Sequence, residues 1–162
     1  MKYSAKFSIF MILLTIIAGC ATMGPSYNQE ISQIKSVPQL SVVVSYIGGV
    51  FWQAKIANNS DATVKLIWDE SAYVNSKGKS TRLIRGQTRK LHSAQAQPSS
   101  PIPPGALLVE SFTGEALAQF AGSYIIPKPE NPSAKGRMYL SFEIDGNKYT
   151  WEGSVAFIQV SQ

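Results

Sequence analysis

The chain has 162 residues, 44% of them hydrophobic and 15% charged, with a formal net charge of +5. That length is enough for one domain with a proper core, and the mild positive charge is no argument for nucleic acid as a partner. One cysteine, Cys20, and one histidine, His92, exclude an internal disulfide and leave no Cys/His set for a structural metal.

Residues 1–19 have the three regions of a secretory signal peptide. Lys2 and Lys6 lead, Phe7 to Ala18 form an apolar run, and small residues close the segment. The run falls short of the about 20 residues that span a bilayer core. Its last four residues, Ile17-Ala18-Gly19-Cys20, resemble the lipobox of bacterial lipoproteins: an aliphatic residue, two small ones, then cysteine. The resemblance implies diacylglycerol on the Cys20 sulfur, cleavage before Cys20 and acylation of the new N-terminus. Two or more acyl chains hold a membrane stably where one does so only marginally. Loss of Lys2 and Lys6 with the signal would lower the net charge from +5 to about +3. Ala21 and Thr22 follow, with no aspartate. In the enterobacterial sorting pattern this implies the outer membrane, facing the periplasm, in a diderm host.

Residues 20–38 read as the lipidated N-terminus and a tether. The tether is either a disordered spacer or a short helix from near Ser26, with Tyr27, Ile31 and Ile34 on one side. From Gln39 to the end at 162 the period is two, and one β-domain is expected. Leu40, Val42, Val44 and Tyr46 share a face. Gly48-Gly49 offers the positive φ of a tight hairpin turn, and Val50, Trp52, Ala54 and Ile56 continue the apolar face. Asn58-Asn59-Ser60-Asp61 is a turn by composition, and its Asn-Asn-Ser sequon carries little meaning in a bacterial lipoprotein. Val64, Leu66 and Trp68 alternate next. Weaker strands follow near 72–75, 80–86 and 105–113, then a short helix around 114–121 and a connection with several prolines from Pro127 to Pro132. Met138, Leu140, Phe142 and Ile144 form the last clear strand, Asp145-Gly146-Asn147 turns it, and Tyr149, Trp151, Val155 and Phe157 return. Short strands joined by Gly, Asn and Pro turns predict an all-β fold, an antiparallel β-sandwich of immunoglobulin-like topology, with a small barrel as the alternative.

No catalytic constellation stands out. Asp69 and Glu70 are adjacent at a strand end, where neighbours point to opposite faces, so they do not converge as acid and base. His92 lies in a polar loop. There is no Gly-x-Ser-x-Gly elbow, His-Glu-x-x-His or phosphate loop, so neither catalysis, a cofactor nor a metal is expected. The charge distribution says more. No acid occurs between Ser71 and Val109, whereas Lys77, Lys79, Arg82, Arg85, Arg89 and Lys90 all do. These residues form either an anion-binding patch or a solvated hairpin neutralised by acids on neighbouring strands. Pro103, Pro104 and Gly105 make a rigid lead-in to a strand.

"NNSDATVKLIWDESAYVN", the Gly-Lys-Ser segment after it and "PIPPGA" are similar to a group of uncharacterised bacterial lipoproteins with β-sandwich domains, over roughly residues 55–110. That likeness implies no activity and carries over no functional residue. The function expected is that of a non-enzymatic, lipid-anchored cell-envelope protein. Its periplasmic domain would bind or scaffold another envelope protein or anionic lipid. The alternative is a phage or mobile-element lipoprotein that blocks a receptor or channel.

Overall fold

The computed structural model describes residues 26–86, 92, 94–117 and 135–160. The signal segment, Cys20, Arg89 and Lys90 lie outside these. The strands are β1 Ser26–Lys35, β2 Leu40–Gly48, β3 Phe51–Asn58, β4 Val64–Val74, β5 Ser80–Arg85, β6 Ser100–Ile102, β7 Leu107–Gly114, β8 Gly136–Ile144 and β9 Asn147–Val160. Every pairing is antiparallel, in the order β1-β9-β8-β4-β5-β7-β3-β2, with β6 laid against β4. Of the helix expected over 114–121, the described part is the end of β7 and a 3-10 turn at Glu115–Leu117.

Period-two patterning places the core. Val42 and Val44 of β2, Trp52, Ala54 and Ile56 of β3, and Met138, Leu140, Phe142 and Ile144 of β8 point inward and are buried. Gly48 and Gly49 take φ of 108° and 61° in the β2–β3 turn. Trp52, Trp68 and Trp151 are all buried, and each indole N–H has an acceptor. Trp52 donates to Gln29 Oε1 at 2.7 Å, Trp68 to Ser100 Oγ at 3.0 Å and Trp151 to Gln33 Oε1 at 3.0 Å. Phe112 links two of them, with ring centroids 5.9 Å from Trp52 and 5.6 Å from Trp68. Asn58 is buried too. Its Nδ2 donates to the carbonyls of Ala62 and Ile102, and its Oδ1 accepts from Ser60. The sequon asparagine is therefore a structural bracket between β3 and β6.

Two expectations need correction. The segment expected as a spacer or short helix is strand β1, paired with β9 from Ser26↔Val160 to Lys35↔Glu152. Second, β4 is one strand carrying a wide bulge. Ile67 pairs with Ser141 and Ala72 with Tyr139, so four residues of β4 lie opposite one of β8. Ser71 Oγ spans the gap, donating to Ile67 O and accepting from Ser141 N. Asp69 and Glu70 are both exposed beside the bulge and, as expected, do not converge: Asp69 pairs with Arg82 and Glu70 with Lys148. The expected all-β, antiparallel fold is the one found, with β5 joining the β1-β9-β8-β4 strands to the β7-β3-β2 strands. Ser80–Arg82 pair with β4 and Leu83–Arg85 with β7, while the consecutive residues Leu83 and Ile84 are both buried. The chain turns a corner there, and the single path bends into a nearly barrel-shaped whole.

Candidate binding cleft

The corner in β5 leaves part of that strand's edge without a neighbour, and Gln97 fills it. Its side-chain Oε1 accepts from Arg85 N and its Nε2 donates to Leu83 O, each at 2.9 Å, so one amide replaces the missing strand. Gln97 is held in turn by Asp69, whose carboxylate accepts from Gln97 N at 3.1 Å. The β4 bulge is what brings Asp69 there.

Beside this corner opens a cleft of about 700 Å3, lined by Ile47, Phe51, Arg85, Gln97, Val109 and Glu110 among others. Its charge is internally matched. Arg85 Nε donates to Glu110 Oε2 at 2.9 Å and its Nη2 donates to Oε1. This is the two-pronged geometry that fixes an arginine most firmly. At its rim Ile47 is 50% exposed and Val109 49%. On the outer face of the same three strands, Val43 is 57% and Leu107 63% exposed. Lys55 lies between Val43 and Val109 in register. Ser45, Gln53 and Ser111 form the next row in register, between these residues and Ile47.

No family model matches the chain, and no curated protein matches it. One solved structure, the Northeast Structural Genomics Consortium target SoR45, is similar at a TM-score of 0.38 and 10% identity, covering 87% of this chain and 90% of that one. A likeness of that size carries no argument about fold or function.

Of the six sequence-predicted basic residues, the four described ones, Lys77, Lys79, Arg82 and Arg85, are not gathered into one patch. Arg85 lines the cleft, whereas Arg82 turns to Asp69 at 2.9 Å and Glu115 at 3.7 Å. Lys77 and Lys79 are exposed in the β4–β5 turn at one end of the molecule. Asp69 of β4, Glu110 of β7 and Glu115 of the 3-10 turn supply acids in space to the stretch that lacks them in sequence. Glu70 pairs with Lys148 and is engaged apart from Asp69. His92 is exposed. Among the described residues no group of three or more His, Cys, Asp or Glu could hold a metal ion. Gln97, Glu110 and the Ile47–Val109 rim are the features the sequence did not disclose. The alternation of Leu107 and Val109 with inward residues was the one available trace.

Proposed function

We propose that the chain is a non-enzymatic lipoprotein of the cell envelope. It would be anchored through acylated Cys20, with the β-domain binding or scaffolding another envelope component at the Ile47–Val109 cleft. The observation that carries the address is the agreement of Lys2 and Lys6, the Phe7–Ala18 run and Ile17-Ala18-Gly19-Cys20. The cleft supports the binding half of the reading. It is open, it mixes Ile47, Phe51 and Val109 with Gln97 and Ser111, and its one arginine and one acid neutralise each other. Such a site recognises shape and a mixture of apolar and hydrogen-bonding groups rather than net charge.

Fatty-acid labelling of cells tests the anchor. Wild type is expected to carry label that Cys20→Ser lacks, and equal label on both overturns the assignment. For the cleft, Ile47→Asp and Val109→Asp are expected to abolish a specific cross-linked adduct in native membranes while the variants still melt cooperatively. An unchanged adduct pattern would remove the cleft from the proposal.

A further inference from the structure

The length of chain between the proposed anchor and the fold fixes how the domain stands. Strand β1 begins at Ser26, so only Ala21–Pro25 separate it from Cys20. Six Cα steps span at most roughly 20 Å when fully extended. Under that reading the domain stays within about 20 Å of the bilayer that would hold Cys20, with the end bearing Ser26 nearest the attachment point.

Register identifies what else lies at that end. Ser26 pairs with Val160 and Ile31 with Val155, which pairs with Gly136. Next to Gly136, Arg137 pairs with Val74, the last residue of β4, so the Asn75–Lys79 turn projects there. Gln29 reaches Trp52 across the interior, which brings the Gly48-Gly49 turn to the same end. The opposite end carries Asp61 and the Asp145-Gly146 turn.

The exposed side chains at the Ser26 end suit a lipid surface. Lys77 and Lys79 ride on a turn braced by Asn75, whose Oδ1 accepts from both lysine backbone N–H groups. Lys135 is exposed beside Gly136, and Ile158, opposite Asn28, is 46% exposed. We infer that this end of the barrel docks on the anionic phospholipid headgroups of the membrane that holds Cys20, with the Lys77–Lys79 turn as the contact. The inference rests on the lipoprotein reading above. A lysine near an anionic surface shifts such an equilibrium about five-fold, so two act together usefully once the tether has already brought them close. The attraction reaches about 10 Å at 0.1 M salt, well within the span of the tether.

The test uses the full lipidated protein in phosphatidylcholine vesicles with and without phosphatidylglycerol. With Cys20 acylated, Ser76→Cys or Asp61→Cys supplies the one free thiol for a fluorescent donor, and headgroup-labelled lipid is the acceptor. Energy transfer from position 76 is expected to exceed that from position 61 several-fold, and to rise further with phosphatidylglycerol. Lys77→Glu with Lys79→Glu is expected to abolish that rise while the variant still melts cooperatively. Equal transfer from both positions, or a rise that survives the double reversal, overturns the docking. Mass spectrometry of the same sample separates the two readings. Absence of the lipid mass on Cys20 refutes the anchor and this inference together. A lipidated protein with equal transfer refutes only the inference.

Discussion

Trp68 shows how one side chain ties three strands. It leaves β4 at the edge of the bulge, packs on Phe112 of β7 and donates to Ser100 of β6, and it is fully buried. Trp68→Ala is expected to cost about 3–5 kcal/mol in denaturant unfolding, and Ser100→Ala about 1–3 kcal/mol through the indole N–H left unpaired. A loss below about 1 kcal/mol for Trp68→Ala would contradict this packing. Gly153 is constrained differently: a Cβ there would lie 2.4 Å from the ring of Trp151. Because that ring is buried and bonded to Gln33, Gly153→Ala is expected to destabilise by about 1–3 kcal/mol as an overpacking change. At the surface, a hydrogen bond from Lys65 and its positive charge hold the Glu143 carboxyl below its usual pKa. Whatever stability this pair contributes is present above the ordinary carboxylate range and is lost as pH falls through the lowered value. In Lys65→Met, NMR titration of Glu143 is expected to return toward the usual range. An unmoved titration would show that Lys65 is not the cause.

Among the elements, the two hairpins β2–β3 and β8–β9 were legible in the sequence because each buries one face. Val42, Val44, Trp52 and Ile56, and Met138 to Ile144, write that burial as strict alternation. Strand β1 was not, because the row that turns toward the core contains Gln29 and Gln33, whose value lies in accepting from two tryptophans far along the chain. The bulge hid the unity of β4 by shifting the inward phase from Trp68 to Ser71. Strand β6, three residues around Pro101, is too short to show a period. The cleft was hidden for another reason. Arg85 and Glu110 are 25 residues apart, and only the corner in β5 brings them together. Exchanging Arg85 for glutamate places two carboxylates face to face, so Arg85→Glu is expected to lower the Tm, with Arg85→Met falling between it and wild type. Lys79→Glu, on an exposed turn, is expected to stay within about 0.5 kcal/mol of wild type. If Arg85→Glu and Lys79→Glu melt alike, the Arg85–Glu110 pair carries no structural weight.

At the level of the whole molecule, the path of strands has two ends, β1 and β2, linked by residues 36–39. β1 protects the edge of β9 and closes much of the gap toward β2, with Gln29 and Gln33 reaching Trp52 and Trp151. A chain beginning at Ser36 keeps every strong hairpin but loses this cover. The edge of β9 then presents unpaired backbone groups to other molecules, the usual route to association. Two buried indole N–H groups also lose their acceptors, at about 1–3 kcal/mol each, which is a large share of the about 5–15 kcal/mol that holds a domain of this kind. The truncated chain is therefore expected to aggregate or to melt without cooperativity. A chain beginning at Ala21 is expected to give a β-rich circular dichroism spectrum and one cooperative transition. Gln29→Ala with Gln33→Ala in the longer chain removes the acceptors while leaving the strand in place, and is expected to lower the Tm without loss of cooperativity. Equal melting of the chains beginning at Ala21 and Ser36 would mean that β1 is dispensable to the stability of the fold.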